Sequence, residues 1–203
     1  MTDSVLPDRI PEAISTCNLS DAMGRRGSLG AFQILSPPGA TVYGKAVTCE
    51  TNNGDWWAVV KAIDAAGPGD IVVATSLNGN SKAIMGELLA NSAKLRGVVA
   101  MVIDGAVRDL PELKALGFPI YAKNFVPNAG DPDREGKVGV TITINGVGIN
   151  PGDFLACDGS GVVCVPKGEI REAINKAEAV VEKESAIRKQ IAEGKRLTDI
   201  LNF

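Results

Sequence analysis

Runs of apolar residues, read by their spacing, divide the chain into short alternating elements. Val42 to Glu50 alternates as a strand does, and the turn Asn52-Asn53-Gly54-Asp55 precedes Trp56 to Ala66, where Val59, Val60 and Ile63 carry helical spacing. Pro68-Gly69-Asp70 leads into a buried strand, Ile71 to Thr75. After the polar loop Ser76 to Lys82 comes a helix around Gly86 to Arg96, ended by Gly97, then a second buried strand, Val98 to Ile103. Asp104 shapes a turn with Gly105. Asp109 or Leu110 opens the next helix, with Pro111 in its first turn, where a missing N–H costs nothing. Gly117 ends that helix and Phe118 to Lys123 forms another strand. This β-α-β-α-β rhythm predicts a partly parallel sheet covered by helices.

The flanks read differently. Pro11 to Thr16 suits one or two helical turns, Ser20 can cap a second helix through Arg26, and Ser36-Pro37-Pro38-Gly39 forces an extended connection. Beyond the polar loop Asn128 to Lys137, Val138, Val140, Ile142 and Ile144 alternate strictly, and Asn145-Gly146 signals a type I′ hairpin. Asn150-Pro151-Gly152-Asp153 leads into Phe154 to Cys157, and Val162 to Val165 returns. Pro-Gly-Asp thus precedes an apolar strand twice, which predicts two similar turns. From Gly168 a long helix carries Ile170, Ala173, Ile174, Ala177, Val180 and Val181 on one stripe, thinning to Ile187, Ile191, Leu197, Ile200 and Leu201. Its far half is too charged for a core, which leaves a solvated end or packing on another subunit. With no long linker, residues 1–203 read as a single domain with a helical tail at about 168–203.

Composition narrows the function. A 203-residue chain with 45% apolar and 22% charged residues is an ordinary globular protein. A net charge of −3 argues against a nucleic-acid surface. No stretch approaches a membrane span, and Met1-Thr2-Asp3-Ser4 does not open a signal peptide, so the cytoplasm is the expected location and no membrane partner is expected. With no histidine, imidazole catalysis and imidazole metal ligands are excluded. A metal held by oxygen ligands is then Mg2+ or Mn2+ rather than structural zinc. No glycine-rich nucleotide loop with an acidic ribose ligand occurs, so no organic cofactor is expected. Cys17, Cys49, Cys157 and Cys164 include no Cys-x-x-Cys pair and read as free thiols, although Cys157 and Cys164 flank a turn where a disulfide could form.

The most informative stretch runs from Gly86-Glu87-Leu88-Leu89 to Asp104-Gly105-Ala106-Val107-Arg108-Asp109-Leu110-Pro111-Glu112. It brings a helix N-terminus, an arginine and several carboxylates to one sheet edge. Unpaired N–H groups and the helix dipole attract a carboxylate. Arginine adds a rigid cationic fork, and the acidic side chains can hold a hard divalent cation. Bland roles compete. Asp109 can cap the Pro111 helix, Glu112 can complete a capping box with it, and Glu87 can simply favour the helix dipole. Trp56 and Trp57 read as one core and one rim residue, with a pocket-lining role as the alternative. Lys82, Lys94, Lys114 and Lys123 raise a Schiff-base mechanism, which needs a desolvated lysine; Lys94 and Lys114 fall on exposed helix faces, whereas Lys82 lies in the polar loop before the helix.

Gly86, Leu89, Arg108, Asp109 and Glu112 together resemble the signature of class II pyruvate aldolases related to 4-hydroxy-4-methyl-2-oxoglutarate aldolase, a family structurally related to the regulator of ribonuclease activity A. The resemblance implies an α/β fold, a swivelling β/β/α domain whose partly parallel central sheet is flanked by helices and β-hairpins. It implies a divalent-metal-dependent lyase that cleaves such 2-oxo acids to pyruvate through an enolate and also decarboxylates oxaloacetate. Gly86, Leu88, Leu89 and Arg108 would bind substrate, Arg108 and Glu87 would serve catalysis, and Asp109 and Glu112 would hold the metal. It also implies a homotrimer or hexamer with sites at subunit contacts, for which Glu182 and Glu184 are candidate contributors from a neighbouring copy. The ribonuclease regulators typically lack the acidic residue after Arg-Asp. Glu112 therefore favours the enzyme over a non-catalytic, protein-binding regulator.

Overall fold

The computed structural model describes residues 10, 11 and 13–202. Its elements are α1 (Thr16–Ala22), β1 (Gln33–Leu35), β2 (Val42–Asn52), α2 (Trp57–Ala65), β3 (Ile71–Leu77), β4 (Ala83–Met85) and α3 (Glu87–Leu95). After these come β5 (Ala100–Val107), α4 (Leu110–Ala115), β6 (Ile120–Phe125), β7 (Lys137–Val138), β8 (Ile142–Ile144), β9 (Val147–Ile149), β10 (Phe154–Asp158), β11 (Gly161–Val165), α5 (Ile170–Ala192) and α6 (Leu197–Leu201).

The fold is the expected α/β class. Strands β2, β3, β5 and β6 are parallel neighbours. Antiparallel β1 lies beside β6, and the β10–β11 hairpin extends the sheet beyond β2. Because strand side chains alternate, both faces of the parallel strands must be covered. Val72, Ala74, Met101 and Ile103 pack with α2, α3 and α4 on one face. Ile71, Val73, Ala100 and Val102 pack on the other with Ile142, Ile144 and Ile149 of the β8–β9 hairpin. A third cluster joins Phe154, Ala156, Val163 and Val165 to α1 and the first half of α5.

Several boundaries depart from the sequence reading. Residue 12 of the expected Pro11–Thr16 helix lies outside the described residues, and α1 is capped by Ser15 with Asn18 rather than by Ser20. The alternating run from Val138 to Ile144 is not one strand. Gly139, at φ +69°, turns the chain between β7, which pairs with β2, and β8, which pairs with β9. Asp104 and Gly105 form no turn either: β5 runs through them, with a shift of its register against β6 between Ile103 and Ala106. Asp104 instead accepts a hydrogen bond from Thr75 Oγ1 at 3.0 Å.

Other local signals hold. Asn145 and Gly146 both have positive φ, 49° and 78°, as a type I′ turn requires. The Pro-Gly-Asp turns share one wiring: Asp70 Oδ2 accepts from Gly67 N–H and Asp153 Oδ2 from Asn150 N–H, each at 2.8 Å. Gly69 and Gly152 sit at φ 85° and 81°. Of the tail, α5 buries Ile170, Ala173, Ile174 and Ala177 and then leaves the core. No helix among the described residues is long and apolar enough to cross a membrane.

Two buried polar features generate tests. Asp158 accepts from Thr16 N–H and Thr16 Oγ1 at 2.8 Å and from Ser160 N–H at 2.7 Å, so it ties α1 to the β10–β11 hairpin. Removing the carboxylate strands these donors. Asp158→Ala is therefore expected to cost about 3 kcal/mol in urea denaturation, whereas Asp199→Ala on the exposed tail should stay within about 0.5 kcal/mol.

All four cysteines are free, and Cys157 faces Val162 across the hairpin, not Cys164. Burial pushes the Cys49 and Cys164 thiols from the ordinary 9.0 up to about 12, and the Cys157 thiol is raised for the same reason. A raised folded value means the unfolded chain ionises first. That stability is complete below pH 9 and is lost progressively as pH climbs toward 12. A native thiol titration at pH 8 should thus find one fast-reacting group, the exposed Cys17, with three more appearing on denaturation.

Candidate functional site

The parallel strands end at the edge where β5 gives way to Arg108. Gly105 lets β4 lie against β5, since a Cβ there would stand 2.9 Å from Ile84 Cδ1. β4 pairs in parallel with Ala106 and Val107, and Arg108 N–H donates to Met85 O at 3.0 Å. The chain then passes from Met85 through Gly86 into α3. The Gly86–Leu89 turn and the Arg108-Asp109 dipeptide, distant in sequence, are thereby laid side by side.

Asp109 decides the geometry. It occupies the residue before α4, but at φ 61° and ψ 44°, a left-handed conformation, and its side chain makes no cap bond to its own helix. An N-cap normally needs extended backbone. Oδ2 of Asp109 instead accepts from Glu87 N–H, the first residue of α3, at 3.1 Å, and lies 3.5 Å from Arg108 Nε. Asp109 caps the neighbouring helix. Gly86 makes room for this: a Cβ there would overlap Asp109 Oδ2 and stand 3.1 Å from Arg108 Cγ. The helix itself offers no acceptor for the next N–H groups, those of Leu88 and Leu89.

A cleft of about 220 Å3 opens at this junction, lined by Gly86, Leu88, Leu89, Arg108 and Asp109 together with Trp56, Ala83, Ile84, Met85 and Ala129. Five residues read from the sequence as ligand-binding or metal-binding thus share one surface. The other two stand apart from its lining. Glu87 is half-buried, and its carboxylate accepts from Asn91 Nδ2 at 3.4 Å, while Glu112 is exposed in the first turn of α4. Of the tryptophans, Trp57 packs on the core and Trp56 lines the cleft, its Nε1–H donating to Gly130 O at 3.1 Å.

The loop that carries Ala129 is expected from its polar composition, but nothing in the sequence assigns Ala129 to the site. The loop is held because Gly54 and Gly130 cross backbone to backbone, so closely that a side chain at Gly130 would overlap the Gly54 carbonyl. Buried Asp55 fastens it further, accepting from Trp57, Glu135 and Gly136 N–H groups at 3.0, 3.1 and 3.2 Å. Lys82 stands near this crossing with its ammonium 3.7 Å from Asp131 and its side chain 47% exposed, not the desolvated environment a Schiff-base lysine needs.

The comparisons with known proteins agree with this architecture. The RraA-like family model, described as Aldolase/RraA, matches residues 16–164, which include the whole cleft. The chain belongs to the RraA-like family. An uncharacterized protein of Methanocaldococcus jannaschii is 41% identical over 93% of this chain and 90% of its own length. A Halalkalibacterium halodurans protein named "Putative 4-hydroxy-4-methyl-2-oxoglutarate aldolase" is 35% identical over 81% of this chain and 78% of its own. Among solved structures, the RNA-processing inhibitor RraA of Thermus thermophilis superposes with a TM-score of 0.66 at 27% identity, over 74% of this chain and 92% of that one. The family therefore supports an aldolase role or an RraA-like role.

Donor chemistry limits what metal the RraA-like cleft could take. Among the described residues no three His, Cys, Asp or Glu side chains are placed to hold an ion, so an all-protein cage is absent. Asp109 at the cleft and Glu112 on the exposed first turn of α4 offer the oxygen donors that Mg2+ accepts, so a metal here would take most of its oxygens from substrate and water.

The glycine makes the arrangement testable. Gly86→Ala should displace Asp109 from Glu87 N–H while leaving the fold intact, because φ −145° at position 86 suits alanine. Losing a charge-assisted bond of about 1.5 kcal/mol should speed hydrogen exchange at the Glu87 amide roughly tenfold, with the urea midpoint little changed. An unaltered Glu87 exchange rate would show that the glycine does not set the pair.

Proposed function

We propose that the chain is a divalent-metal-dependent carbon–carbon lyase that forms pyruvate from 2-oxo acids of the 4-hydroxy-4-methyl-2-oxoglutarate type and decarboxylates oxaloacetate. One observation carries this reading: the open N-terminus of α3 and the Arg108 guanidinium line the same cleft, fixed to each other through Asp109. A 2-oxo acid presents a carboxylate and an adjacent carbonyl, and the two donor groups suit those two functions.

The N–H groups of Leu88 and Leu89 receive the carboxylate, where the helix dipole favours negative charge. Arg108 faces the 2-oxo oxygen. In the retro-aldol direction the C3–C4 bond breaks, its electron pair moves into the pyruvate enolate, and the C4 hydroxyl proton leaves as the new carbonyl forms. In the decarboxylation the electron pair of the C3–carboxylate bond takes the same route and carbon dioxide departs. Both place charge on the 2-oxo oxygen, which the Arg108 guanidinium stabilises. A proton then returns to C3. Glu87, at the start of α3, is the carboxylate assigned to position the water that handles these protons. A divalent ion held by Asp109 and Glu112 would supply Lewis-acid polarisation of the 2-oxo acid.

The likeness to an RNA-processing inhibitor favours a second reading, a protein-binding regulator built on the same fold. Pyruvate release from oxaloacetate and 4-hydroxy-4-methyl-2-oxoglutarate, with and without Mg2+ or Mn2+, separates the two. Turnover abolished by EDTA supports the lyase; no turnover with either metal, alongside tight binding to a ribonuclease, supports the regulator.

Arg108→Lys is the sharper test. Lysine keeps the charge but loses the planar fork. With Mg2+ saturating, kcat on oxaloacetate should fall by roughly two to three orders of magnitude, while calorimetry still detects metal binding. Wild-type kcat in the lysine variant would reduce Arg108 to a half-exposed ion-pair partner of Asp109.

A further inference from the structure

Arg108 and the α3 N-terminus account for the pyruvoyl half of a 4-hydroxy-4-methyl-2-oxoglutarate-type acid, but such an acid ends in a second carboxylate. A carboxylate taken from water needs a new partner. Trp56 and Ala129 share the lining of the cleft with Arg108 and Leu88. They belong to the two loops that cross at Gly54 and Gly130, and Lys82 lies on that crossing.

The two ends of Lys82 are held differently. Its backbone N–H donates to Asn53 Oδ1 at 3.1 Å, and Ala83, the next residue, lines the cleft. Its stem covers Gly54, where a Cβ would stand 2.6 Å from Lys82 Cβ and 2.8 Å from Cδ. The ammonium beyond this anchored stem is 3.7 Å from Asp131 Oδ2, with the lysine side chain 47% and the aspartate side chain 71% exposed. A pair so open to solvent contributes little to stability. The ammonium is a point charge on a flexible chain, so it can exchange Asp131 for another carboxylate at small cost.

We infer that Lys82 is a specificity-determining residue that receives the distal carboxylate of a 2-oxo diacid in place of Asp131. The inference rests on the pyruvoyl reading of the cleft and adds to it the residue that selects diacids over monoacids. Asp131 holds the ammonium beside the wall until the ligand arrives.

A matched pair of substrates tests it, differing only in a carboxylate or a methyl at C5. With Mg2+ present, kcat/KM of the wild-type chain for pyruvate release from 4-hydroxy-2-oxoglutarate should exceed that for 4-hydroxy-2-oxopentanoate roughly tenfold. Lys82→Met keeps the stem over Gly54 and removes the charge. It should raise KM for the diacid roughly tenfold, with kcat and the handling of the monoacid unchanged, and Lys82→Arg should restore most of the loss. Asp131→Asn, which removes the competing carboxylate, should lower KM for the diacid about threefold. By calorimetry, 2-oxoglutarate should lose affinity in Lys82→Met while 2-oxopentanoate does not. A diacid KM unmoved by Lys82→Met, or one that rises equally for both acids, overturns the inference while leaving the lyase standing, as does a diacid KM that fails to fall in Asp131→Asn. No turnover of either hydroxy acid, with no binding of either 2-oxo acid, removes the pyruvoyl reading itself and the role of Lys82 with it.

Discussion

A single carboxylate holds the functional edge of this molecule in place. Asp109 bonds the first N–H of α3 and sits against Arg108, so it joins the end of β5 to the start of a helix that precedes it in sequence. The β4–β5 pairing already lays the two segments side by side, and Asp109 ties their ends together. The α3 N-terminus leaves several N–H groups without helical acceptors, and an arginine at a strand end has many rotamers. Asp109 stands at φ 61°, a conformation that costs of order 1 kcal/mol or more for a residue with a side chain. The left-handed backbone goes with the cap it does not make on α4 and with the one it makes on α3.

That bond has requirements of its own, and they reach back into the sheet. Gly86 must lack a Cβ so that the carboxylate can approach in this geometry, and the missing Cβ of Gly105 leaves room for Ile84 of β4. The register shift in β5 next to Gly105 falls where the strand must accept β4 on one side and β6 on the other. A bulge near the end of a strand re-aims the residues just beyond it. In this strand those residues are Arg108 and Asp109.

Local chemistry is legible in the sequence; pairing across the chain is not. The central strands, the helices between them and the turns at Asn145-Gly146, Pro68-Gly69-Asp70 and Pro151-Gly152-Asp153 arise from patterns a few residues long, and the structure contains them. Gly86, Leu88, Leu89, Arg108 and Asp109 are legible as a group because helix and strand spacing brings both segments to one edge. Three kinds of feature escape. Short strands such as β1 and β4 have too few residues to show a period. The break at Gly139 hides inside an alternating run, because alternation records burial rather than continuous pairing. Trp56 and Ala129 meet only because two loops far apart in sequence cross at Gly54 and Gly130.

The choice between Asp109 as cap and Asp109 as ligand, open in the sequence, becomes a question of which group it caps. An aspartate buried in its own helix cap would be spent. One that caps the neighbouring helix from the rim of a cleft, with its side chain 34% exposed, keeps one oxygen on the protein and stays within reach of whatever enters. A bound carboxylate would share the dipole of α3 with it. The same contact ties α3 to the end of β5 at the rim of the cleft. That accounts for Gly86 and Asp109, so far apart in sequence, having to be read as one structural unit.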